Sequence, residues 1–150
     1  MIAVINTSDD LVLALRNRLL DEGYEIVIGH IRDIKMGRTN FETFLRTHRP
    51  AVVIYDIAIP YEDNWTFFNT LRHLPQSLDQ PFIVTTVNKR VLEQRVGKTD
   101  AIELVGGHAD DFEPVVDALA AATQRVTVRA ATPLSKTQAG ARRARRSKRP

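Results

Sequence analysis

Cysteine is absent from the 150 residues, which excludes disulfides, thiol nucleophiles and thiolate metal sites. No apolar run approaches the roughly 20 residues needed to cross a bilayer. The first residues also lack the basic-then-apolar order of a secretion signal. A cytoplasmic protein without a membrane span is the simplest expectation. Neither a P-loop nor a G-x-G-x-x-G pattern occurs, and Gly106-Gly107 is too short to cradle a phosphate. No Ser, His and Asp set announces hydrolase chemistry, and no second histidine has metal-ligand spacing with His108. An enzyme is not expected.

What remains is a chain long enough to bury a real core as one domain, with the 43% hydrophobic and 26% charged content of an ordinary globular protein. Its net charge of +3 hides a division. Residues 131–150 hold seven basic side chains and no acid, which leaves residues 1–130 at about −4. The basic character belongs to the tail.

Five runs rich in Val and Ile, at 2–5, 25–28, 51–55, 82–84 and 102–105, are near-continuous rather than alternating. Strands buried on both faces of a parallel sheet read this way. Segments of helical period separate them. Ser8 caps the first, Asp9 and Asp10 suit its positive end, Leu11, Leu15 and Leu19 share a face, and Gly23 stops it. Further helices are expected through Phe41, Phe44 and Leu45, through Trp65, Phe68 and Leu71, and after Asn88. The last starts near Asp110 or Asp111, with Pro114 tolerated in its first turn. Strands alternating with helices predict a doubly wound α/β sheet with helices on both faces. After residue 126 the chain is read as a basic, disordered tail at 127–150, because it cannot bury enough apolar surface to offset its ordering entropy.

The most informative residue is Asp56. It ends the run Ala51-Val52-Val53-Ile54-Tyr55, so a lone carboxylate sits at the exit of a buried strand, where open α/β sheets collect ligands and chemistry. The stretch continues through Ile57, Ala58, Ile59, Pro60, Asp63 and Asn64 to Phe67, Phe68, Leu71 and Arg72. It resembles the phosphoacceptor strand, loop proline, Asp-Gly turn and following helix of the receiver domain of bacterial two-component response regulators. The resemblance covers roughly residues 1–126 and implies a flavodoxin-like, CheY-like sheet of order 2-1-3-4-5. Asn64 stands where the family has glycine, a tolerable change because Asn visits left-handed backbone conformations. Thr86 resembles the family's switch hydroxyl.

In such receivers the aspartate takes a phosphoryl group from a partner histidine kinase. A magnesium ion, held by that aspartate and an acidic pair after strand 1, and a lysine after strand 5 offset the charge. Here the acidic pair falls on Asn6 and Thr7, neutral oxygens where magnesium prefers carboxylates. The lysine position falls on Gly107 or His108, and no lysine lies between 99 and 110. Asp56 alone remains as a metal ligand, so magnesium binding is expected to be weak.

The resemblance therefore implies a stand-alone, atypical response regulator, signalling through protein contacts with weak or absent phosphorylation. Its partners would be a histidine kinase or downstream effector, or a second copy through the face of the fourth helix, fifth strand and fifth helix, at 88–122. One alternative is a functional phosphoacceptor using Asp56. Another is a nucleic-acid-associated protein, because Arg142, Arg143, Arg145, Arg146, Lys148 and Arg149 place six charges within nine residues. No aromatic is interleaved to read bases, and a solvated tail or docking onto the acidic body is at least as good an explanation.

Overall fold

The five apolar runs form β1 (Ile2–Asn6), β2 (Ile26–His30), β3 (Val52–Asp56), β4 (Phe82–Thr86) and β5 (Ile102–Glu103). In the computed structural model, which describes residues 1–104 and 112–131, they make one parallel sheet of order β2-β1-β3-β4-β5. The expected topology is the observed one. The helices are α1 (Asp9–Asp21), α2 (Ile31–Lys35), α3 (Phe41–His48), α4 (Tyr61–Arg72), α5 (Lys89–Val96) and α6 (Glu113–Ala131).

Local chemistry sets these boundaries. Ser8 Oγ accepts from Leu11 N at the start of α1, and Asn40 and Asn88 cap α3 and α5 through Thr43 N and Val91 N. Gly23, at φ +86°, turns the chain out of α1 while Tyr24 N reaches back to Leu19 O. The buried stripe of α1 is Val12, Leu15 and Leu19, with Leu11 half-buried beside it. Helix α2 was not expected. It is one short turn that buries only Ile31 and Ile34, too brief to show a period in the sequence.

Alternation along the strands divides the core. Ala3, Ile5, Val53 and Tyr55 face α3, α4 and α5, packing on Phe44, Phe68 and Leu92. Ile2, Val4, Ile54 and Ile83 face α1 and α6, packing on Leu15, Val115 and Leu119. All of β3 is buried, which explains its unbroken apolar reading.

Three expectations need correction or limits. Asn64 does not adopt a left-handed conformation: it lies inside α4, and Arg49 is the one non-glycine with positive φ among the described residues. The buried Asn64 amide is used instead, donating from Nδ2 to Ala58 O at 2.8 Å and accepting from Lys35 Nζ. The final helix runs to Ala131, so the boundary placed after residue 126 falls inside it. Residues 105–111 and 132–150, with Gly107, His108 and the arginine-rich segment, lie outside the described residues. Among the described residues no helix is long and apolar enough to cross a membrane.

Candidate functional site at the carboxyl end of the sheet

Three neighbouring strands end side by side with polar residues. The β1–β3 register pairs Ile5 with Tyr55, which sets Asn6 next to Asp56. The β3–β4 register pairs Asp56 with Thr85. Period-two alternation puts Asn6, Asp56 and Thr85 on the same face as Val4, Ile54 and Ile83, the face covered by α1 and α6. All three are buried, at 1%, 5% and 1% exposure. Polar groups at such depth demand partners.

They find them locally. Thr85 Oγ1 donates to Asp56 Oδ1 at 3.1 Å. Asn6 Oδ1 accepts from Thr7 N at 2.6 Å and from Ser8 N at 2.8 Å, fastening the turn into α1. Burial disfavours the charged carboxylate and pushes Asp56 up to about 6, while the Thr85 hydroxyl pulls modestly the other way. The phenol of Tyr55 is held well above its ordinary range by burial and by the neighbouring Asp56 charge.

The expected switch residue was Thr86, yet the hydroxyl on Asp56 belongs to Thr85. Thr86 pairs with Glu103 across β5 and turns to the opposite face, where its Oγ1 is buried without a hydrogen-bond partner. The Thr-Thr dipeptide hides which of the two hydroxyls bonds the unmodified Asp56. Counting in twos from the buried Ile83 would have selected Thr85. Thr7 is exposed, and its side chain makes no hydrogen bond with Asp56 among the described residues. Asp9 lies 3.6 Å from His30 at the rim of α1 and is exposed.

A structure of the chemotaxis protein CheY4 of Vibrio cholerae, crystallised at pH 4.0, matches this chain with a TM-score of 0.55 at 19% sequence identity. The match covers 83% of this chain and 96% of that one. A second structure of the chemotaxis response regulator CheY4 of Vibrio cholerae matches with a TM-score of 0.54, also at 19% identity over 83% and 96% of the two chains. The chain has the CheY-like fold. No protein-family model and no curated protein matches the sequence.

Magnesium, which a CheY-like site would imply, does not fit the residues present. Asp56 is the one carboxylate among the three aligned strand ends, and the Asn6 oxygen already accepts two amide protons. The carbonyl of Ala58, in the loop that follows, is engaged by Asn64. Among the described residues no group of three acids or histidines could hold a metal. A hard divalent cation wants several anionic oxygens, and the three aligned strand ends offer a single carboxylate. What it can do by itself is hold or release one proton at Asp56.

Proposed function

We propose that this protein is a receiver-type signalling protein rather than an enzyme, acting through contacts with a partner protein. Asp56 serves it poorly or not at all as a phosphoacceptor. The observation carrying this reading is the isolation of Asp56: buried, bonded to Thr85, and flanked by Asn6 in place of an acid. Attack by a carboxylate on a phosphoryl group brings negative charge onto negative charge. The transfer depends on cations held at that spot. Neutral Asn6, exposed Thr7 and the absence of lysine from 99 to 110 withdraw that support. The CheY-like fold supports a role of the kind named for the chemotaxis response regulator CheY4, with the fold kept as a surface for partners.

Intact-mass spectrometry after incubation with acetyl phosphate and magnesium tests the reading. The expected result is little or no 80-Da addition. Rapid, near-stoichiometric addition that disappears in Asp56→Ala would overturn it.

The Thr85–Asp56 hydrogen bond favours a second reading, a working switch whose hydroxyl senses the modified aspartate. Under that reading Asn6→Asp, which restores an acid on the same face, should raise phosphorylation strongly. An unchanged rate would remove it.

A further inference from the structure

At the opposite end of the strands from Asp56, the sheet has an open edge. Strand β5 is only two residues long and pairs with Thr85 and Thr86 alone. Residues 82–84 of β4 therefore have β3 on one side and no strand on the other, among the described residues. Val53 N bonds Pro81 O, and Ile57 N bonds Thr85 O, so the odd-numbered residues serve β3. Thr86 O, which accepts from Leu104 N at 2.7 Å, shows the even-numbered residues turned outward. Phe82 shares that outward direction and lies beyond the reach of β5. Its side chain and that of Val84 are half-buried, whereas Val53 and Tyr55 in β3 are at 0% and 1% exposure.

This edge forms the floor of a hollow of about 670 Å³, within the range of ligand-binding clefts. Trp65 and Phe68 of α4 form one wall, with ring centroids 5.7 Å apart, and Phe68 meets Phe82 edge-on at 5.4 Å. The facing wall on α6 is Ala118 and Ala122, whose small side chains leave the space open. Arg72 and Arg125 stand exposed among the lining residues, and neither has an ion-pair partner among the described residues. Asp100 is the one acid there.

We propose that this hollow binds an extended, acidic, apolar-centred peptide segment of a partner protein, laid along the outer edge of β4. The outward N–H and C=O of Phe82 supply main-chain hydrogen bonds, the aromatic wall takes an apolar side chain, and the two guanidinium groups meet carboxylates. An unpaired edge next to an apolar hollow is a template for strand addition, which selects a peptide over a free small acid. The chain's own tail is the wrong occupant, because residues 131–150 carry seven bases and no acid toward two arginines. The site names a partner's chemistry for the signalling role but does not depend on what Asp56 does.

The test uses the full chain and two fluorescein-labelled probes, acetyl-Glu-Val-Phe-Val-Glu-amide and its acetyl-Lys-Val-Phe-Val-Lys-amide counterpart. Saturable binding of the acidic probe is expected, roughly tenfold or more tighter than the basic one. Amide shifts should centre on Trp65, Phe82, Val84 and Arg125. Because Arg72 and Arg125 are exposed, the Arg72→Glu, Arg125→Glu variant should fold normally and reverse the preference. Equal binding of both probes, shifts centred elsewhere, no saturable binding, or phenylacetate competing as well as the peptide would each overturn the proposal. None of these results bears on phosphoryl addition to Asp56, so the two readings fail separately.

Discussion

Asp56 gives the protein a proton-linked stability that its sequence neighbours make testable. Burial raises the carboxyl from 3.8 to about 6, so the folded state binds the proton more tightly than the unfolded chain does. The resulting stabilisation is fully present below about pH 4 and is lost as pH rises through 6. A rise of that size corresponds to roughly 2–3 kcal/mol. Asp56→Asn, neutral at every pH and nearly isosteric, should therefore be more stable than the natural protein at pH 8 by up to that amount and should gain nothing at pH 3.5. Urea unfolding at both pH values checks it, and parallel stability curves would contradict the assignment. The two threonines part company in the same assay. Thr85→Val removes a hydrogen bond to a carboxylate and should cost about 1–3 kcal/mol at pH 8. Thr86→Val deletes a buried hydroxyl without a partner and should be neutral or stabilising by about 1 kcal/mol. Asp56 was legible in the sequence because a charge at the end of an apolar strand is conspicuous. Which threonine faces it was not, since residue type is the same at both positions and only register separates them.

Among the elements, α4 shows what a resemblance to a turn motif conceals. The Asp63-Asn64 pair read as a turn needing left-handed backbone, yet both residues are helical, and the Asn64 side chain ties Lys35 of α2 to the loop after β3. Asn64→Ala should lose about 1–2 kcal/mol as these hydrogen bonds go. Asn64→Gly should lose about 1 kcal/mol more, because glycine is costly within a helix. Chemical denaturation of the two variants decides between the structures: a left-handed residue at 64 would make glycine the better replacement. Helix starts at Ser8 and Asn88 were readable from their caps. Helix α2 was missed for its brevity, whereas the Asn40 cap, directly before the apolar period of Phe41, Phe44 and Leu45, was there to be read. The last strand reads as four residues and pairs over two, which is why the hollow along β4 was not legible beforehand.

For the whole molecule, alternation of runs and periods was enough to give the class of sheet, while its order came from the resemblance to receivers and is the order observed. Charge is the remaining global feature. The acidic body and the basic tail differ in sign, so the two regions respond oppositely to a polyanion. Six bases between 142 and 149 neutralising phosphates would release counterions, giving duplex-DNA affinity a log–log salt slope as steep as about −5. With no aromatic side chain interleaved, that binding should be indifferent to sequence. Replacing all six by alanine should abolish both the binding and its slope while leaving thermal stability unchanged, since no described residue of the fold is altered. Fluorescence anisotropy across a salt titration reads the result. A variant that keeps the slope would place the phosphate contacts on the folded body, and one that loses stability would show the tail packed against its acidic surface.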